Sequence, residues 1–128
     1  MSYPPQVISE LALVGVAYAG VPNEERVVIR PTQTLQLSTF GVAAGSFDAA
    51  TGGTRPFFDS VFWFPDLFVS PPAWILLYTG IGTPRSTQLE NGEALITLFW
   101  QRKLTVFDNP HVLPVLFRLG AAIVGRRL

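Results

Sequence analysis

The sequence predicts a small all-β sandwich of short strands. Three observations carry this: dense punctuation by Pro and Gly, apolar–polar alternation between the breaks, and no sustained helical 3,4 repeat. Eleven prolines and eleven glycines interrupt the 128 residues. They fall about every 8–15 residues, the spacing of a strand-and-turn protein. The stretch Glu24–Arg30 is too short and too β-branched for a helix.

Val7–Tyr18 reads as the first long strand, with Ile8, Ala12, Val14 and Val16 alternating against Ser9 and Gly15. A turn through Gly20-Val21-Pro22-Asn23 leads to Arg26–Arg30, where Val27 and Ile29 share a face. Thr34–Phe40 follows, with Leu35, Leu37 and Thr39 opposite Gln36 and Ser38, a strand with one wet face. Gly45–Pro56 is rich in small residues and is expected to be a mobile loop. Phe57–Phe64 is apolar on both faces, Phe58, Phe62 and Phe64 against Phe57, Val61 and Trp63. Ala73–Tyr78 is a strand introduced by Pro71-Pro72, and Gly80–Gly92 is a long connection to the strand Ala94–Trp100. A turn at Asp108-Asn109-Pro110 leads to Val112–Leu119, and Gly120 is placed as a tight turn before Ala121–Val124. No internal repeat or linker divides the chain, so residues 1–128 are expected to form one domain.

Several of these pieces recur in a known order. Ile8-Ser9-Glu10 opens the chain and Glu24-Glu25-Arg26-Val27-Val28-Ile29 follows an acidic turn. Leu37-Ser38-Thr39-Phe40-Gly41-Val42 comes next, then Phe64-Pro65 through Pro71-Pro72, then Tyr78-Thr79-Gly80-Ile81-Gly82-Thr83. Leu98-Phe99-Trp100, Val106-Phe107-Asp108-Asn109 and Leu116–Val124 complete the set. The order resembles the lamin-tail domain, although Phe40 stands where that family has tryptophan and Arg30-Pro31 where it has asparagine. The resemblance implies an immunoglobulin-like β-sandwich of short, mainly antiparallel strands, closed by a hairpin over Leu116–Val124. It also implies a binding module for proteins, and sometimes for DNA.

Composition narrows the function. With no cysteine, thiolate metal sites, disulfides and cysteine nucleophiles are excluded. The single histidine, His111, follows Asn109-Pro110 and reads as a polar turn residue, since no nucleophile can be assigned beside it. One histidine cannot seed a zinc site, and Asp59, Asp66 and Asp108 are scattered singly through turn regions. Gly80-Ile81-Gly82-Thr83-Pro84-Arg85 lacks the helix a phosphate loop needs, and Pro84 supplies no N–H. The expectation is a non-enzyme with no cofactor and no metal.

No stretch runs about 20 apolar residues unbroken, so no membrane-spanning helix is expected. Leu11–Gly20 is apolar, and Ala17-Tyr18-Ala19 mimics a cleavage site. Yet no basic residue precedes it and Glu10 sits at its start, so it is read as a strand, not an export signal. The absence of cysteine suits a reducing compartment, and a cytoplasmic location is expected.

Two surfaces stand out. Only 14% of residues are charged while 48% are hydrophobic, against about 25% charged in an average domain. A domain this small cannot bury all of that within itself. The aromatic strand is therefore the expected interface, through Phe57, Phe58, Val61, Phe62 and Trp63, for a second copy or a protein partner. The other surface is the basic C-terminal region, where Arg102, Lys103, Arg118, Arg126 and Arg127 face Asp108 alone. A nucleic-acid-binding accessory role is the alternative it offers. The strand pattern predicts far-ultraviolet circular dichroism of β type; a spectrum dominated by helical minima overturns the fold class.

Overall fold

A computed structural model describes residues 8–48 and 53–127, with 47–48 and 53–59 described by backbone alone. In chain order the strands are β1 (Leu11–Ala17), β2 (Arg26–Pro31), β3 (Leu35–Gln36), β4 (Phe40–Asp48) and β5 (Gly53–Trp63). They continue as β6 (Phe68–Val69), β7 (Ala73–Tyr78), β8 (Arg85–Gln88), β9 (Ala94–Phe99) and β10 (Val112–Arg118). Among the described residues the only helical element is a single 3-10 turn, Leu37–Thr39. The chain is all-β.

Two main sheets face each other. One has the order β1-β2-β7-β9-β8, the other β10-β4-β5, and a two-stranded ribbon pairs β3 with β6. Every pairing is antiparallel except β7 with β9. Alternation along β2 and β7 turns Val27, Ile29, Ile75 and Leu77 inward, all fully buried. They meet Phe40, Val42 and Ala44 of β4, with Phe62 and Leu116 packed against the same cluster. Each fully buried Val, Ile, Leu or Phe among them contributes about 1.5–3 kcal/mol by leaving water.

The parallel pair imposes a crossover, because β9 must enter the sheet running the same way as β7. The chain leaves β7, passes the end of β9, forms the outer strand β8 and doubles back. That passage crosses the Phe99 ring at Gly82, where a Cβ would come within 2.4 Å of a ring carbon. Gln101 holds the passage in place. Its side-chain amide accepts from the Gly82 N–H at 3.2 Å and donates to the Gly82 carbonyl at 2.7 Å.

Four local expectations need correction. Thr34–Phe40 is not one strand: Gln36 Oε1 accepts from the backbone N–H of Ser38 and Leu67, and the chain coils into the 3-10 turn that buries Leu37. Such side-chain bonds compete with a strand ladder. Gly45–Pro56 is not a loop throughout, because Gly45–Asp48 and Gly53–Pro56 extend β4 and β5 as paired strands; residues 49–52 lie outside the described residues. Small side chains there do not prevent pairing when both neighbours offer a ladder edge. The Gly80–Gly92 connection contains β8, whose polar sequence hides an edge strand. Lastly, Ala121–Val124 forms no strand and no hairpin closes on β10; residues 119–127 are exposed.

Gly41 shows how tightly the smaller sheet is assembled. A Cβ there would lie 2.5 Å from the Phe117 ring and 2.9 Å from the Phe62 carbonyl oxygen. The ring can shift, but the carbonyl belongs to the paired strand. Gly41→Ala is expected to cost about 1–3 kcal/mol, read as a lower urea midpoint at unchanged slope.

Candidate association surface

The structure settles which side of the aromatic strand faces out, but only for its second half. Phe62 pairs across to Val42, points into the core, and meets Phe64 edge-on at 5.5 Å. Trp63 points the other way and is 50% exposed. Val61 shares its side and is half-buried. The first half does not continue the same alternation. Ala43 pairs with Val61 and Gly45 with Pro56, so four residues, 57–60, stand opposite Ala44 alone. This bulge breaks the period of two. The side chains of Phe57 and Phe58 lie outside the described residues.

Around Trp63 the outer face of β10-β4-β5 is apolar throughout its described residues. Gly41, Ala43 and Gly45 form its floor in the central strand. Trp63 and Val61 rise on one side, and Phe117, Val115 and Leu113 on the other. Trp63 and Phe117 meet edge to face at 5.0 Å, bridging Gly41, the residue both pair with. A larger residue at 41 would separate the rings. Leu113 and, just past the strand, Leu119 are 41% and 48% exposed.

The five basic candidates are not brought together. Arg102 and Lys103 border a depression of about 550 Å³ that also touches Ala44 and Val112. Arg118 lies at the other end of β10, roughly 20 Å from Val112 at about 3.3 Å per residue. There it bonds Glu10 at 2.6 Å. Arg126 and Arg127 lie on the exposed segment after β10. A phosphate backbone is therefore offered no single cationic face by this set.

Basic and aromatic groups do converge elsewhere, across the outer face of the five-stranded sheet. Arg26 lies 4.6 Å from the Tyr18 ring and 5.4 Å from the Tyr78 ring, and Tyr78 stacks on Phe99 at 5.5 Å and 22°. Arg85 closes the column 6.0 Å from Phe99. In a second row Arg30 covers Trp74 at 3.8 Å, while Glu93 accepts from the indole N–H at 2.8 Å. In the first column Tyr78 and Phe99 stack on each other, and Tyr18 at its end is 59% exposed. These ladders tie neighbouring strands together.

The expected chemical groups sit apart. His111 is exposed in its turn, its backbone N–H bonded to Asn109 Oδ1 at 2.9 Å. Asp66 bonds Gln36, and Asp108 is exposed. Among the described residues no three of His, Cys, Asp and Glu cluster as a metal would require.

The residue that sequence reasoning passed over is Glu25. It is 1% exposed, and among the described residues it is the one buried charged side chain. Its Oε1 accepts from Thr79 Oγ1 at 2.8 Å and from Val106 N–H at 2.7 Å. Its Oε2 accepts from Gly20 N–H at 2.7 Å and Phe107 N–H at 3.1 Å. No cation among the described residues takes part. Three backbone donors and one hydroxyl satisfy the group, so it joins the turn before β2, the end of β7 and the passage to β10. A signal existed: Glu25, Val27 and Ile29 share one strand parity, which points Glu25 inward with the core.

Set against family models, curated proteins and solved structures, the chain matches none of them.

Glu25→Gln keeps the shape but replaces one acceptor oxygen by a donating NH₂. Placed toward Thr79, whose hydroxyl can turn to accept, it leaves the Val106 N–H unpaired. The expected cost is about 1–3 kcal/mol, measured by chemical denaturation. Glu25→Ala strands all four donors and should lose distinctly more. Equal stability of all three proteins would remove Glu25 from this role.

Proposed function

We propose that the protein is a non-enzymatic association module whose outer β10-β4-β5 face packs on a second copy of the chain. The observation that carries this reading is the absence of charge among the described residues of that face, with Trp63 half exposed at its edge. Interface cores gather aromatics and shed charge, and a self-complementary face closes as a two-fold dimer. Nothing in it calls for a catalytic group or a cofactor. The resemblance to lamin-tail domains, and the immunoglobulin-like sandwich that goes with it, points the same way. The nucleic-acid reading loses support, because its five cations are dispersed.

Paired charge substitutions test the reading. Trp63→Glu adds a charge to the exposed face and is expected to give a folded monomer by light scattering. Phe62→Glu buries a charge beside Phe64 and Trp100 and is expected to unfold the domain. A wild-type protein that stays monomeric up to tens of micromolar would overturn the dimer.

A further inference from the structure

The outer face is small for a lasting dimer. Three strands about 4.8 Å apart and six or seven residues long cover roughly 300 Å² in plan. A stable contact takes about 800 Å² from each partner. Two further apolar surfaces adjoin the face and bear on this deficit.

The first is the arm that follows β10. Residues 119–127 form no strand, and Ile123 and Val124 are 99% and 93% exposed. Gly120 and Gly125 bracket Ala121-Ala122-Ile123-Val124, and Arg126-Arg127 follow. The second is a cleft of about 450 Å³ between β1 and β10, walled by Leu13, Val16, Phe107, Val112, Leu113 and Pro114. These two strands are the edges of their sheets and do not pair with each other. Leu113 borders both this cleft and the outer face. Phe107 and Pro110 line it too, and between them in sequence stands exposed Asp108, which makes no ion pair with a described residue.

We propose that the arm of one copy seats in the β1/β10 cleft of a second copy, Ile123 and Val124 against its apolar walls and the Arg126-Arg127 pair beside Asp108. The inference rests on the dimer reading above. A two-fold axis lying across the strands reverses β10 of one copy over β10 of the other. The Leu119 end of each then lies over the partner's Leu113 end, where the cleft opens. Exchange of two arms adds two identical contacts to the shared face and makes up the missing area. Charge complements shape, since the arm's two cations meet a carboxylate without an ion-pair partner among the described residues.

Seating in the arm's own cleft would require a hairpin along the free edge of β10, and that edge is interrupted. The Leu119 N–H bonds the Thr39 carbonyl at 2.8 Å, so in the unbroken β10–β4 register residues 113, 115 and 117 direct their backbone groups to β4. Residue 114 directs its own to the free edge, and it is proline, with no N–H to give.

A chain without cysteine allows a clean crosslinking test. Val124→Cys and Leu13→Cys variants, mixed and mildly oxidised, should yield a disulfide-linked heterodimer. Val124→Cys mixed with Ser86→Cys, on the far edge strand β8, should not. One chain carrying both Val124→Cys and Leu13→Cys should also link between chains; closure within a monomer overturns the proposal. Sedimentation of full-length Ile123→Asp and of Asp108→Arg should show dimer dissociation constants raised at least tenfold. Adding Arg126→Asp and Arg127→Asp to Asp108→Arg should recover most of that loss. If these variants dimerise as the wild type does, the arm is not in the cleft although the dimer stands. If the wild type is itself monomeric, the dimer reading fails and the arm with it.

Discussion

The four hydrogen bonds that end on Glu25 fix the relation between the two sheets. The passage from β9 to β10 contains no strand, yet it must deliver β10 to the opposite sheet. Its hold on the first sheet is a short set of contacts: Gln101 N–H to the Gly80 carbonyl, Arg102 N–H to the Thr79 carbonyl, and Val106 and Phe107 N–H to the Glu25 carboxyl. Thr79 is in turn bound to Glu25 through both its hydroxyl and its backbone N–H. Buried polar groups are tolerated only when each partner is supplied. Here that condition sets the course of the chain, and through it the place of Phe107, the cleft beside it and the outer face beyond.

The cations have been drawn into the same economy of charge. Of the nine basic residues eight are arginine, and four of these, Arg26, Arg30, Arg85 and Arg118, lie over aromatic rings. A planar guanidinium can cover a ring while its edge stays wet, which an ammonium does less well. Three of the four, Arg26, Arg30 and Arg85, dress the five-stranded sheet for solvent with few charges, while Arg118 lies over Phe40 in the smaller sheet. The outer face of the smaller sheet carries no charged side chain among its described residues, and that contrast is what supports the association proposed above.

How much of this was legible in the sequence depended on whether the deciding interaction was local. Ala73–Tyr78 was delimited as found, because its alternation runs unbroken and its flanks are turn residues. Alternation also gave Phe62 and Trp63 opposite faces; which was outside needed the pairing with Val42 and Gly41. The bulge opposite Ala44, the 3-10 turn and the parallel entry of β9 were hidden, since each is decided by a partner distant in sequence. β8 was hidden for another reason. Its four exposed residues carry no apolar signal and join the sheet by backbone alone. The closing hairpin expected over Leu116–Val124 failed at its second half. A β-branched stretch next to glycine signals the capacity to pair, not the presence of an edge that will accept it.

Pro114 carries that last point further. Each outer strand of the two main sheets is spoiled as a template for ladder growth: β10 by the proline, β1 by a bulge that ejects Val14, β5 by the bulge at 57–60, β8 by its short polar sequence. Natural sheets blunt their edges by these means. A greasy chain with open edges would be free to lengthen indefinitely into fibres. With the edges blocked, copies can meet only through side-chain surfaces, and a two-fold meeting of such surfaces uses up both copies at once. In the dimer proposed above, stickiness would thereby be confined to an assembly that terminates.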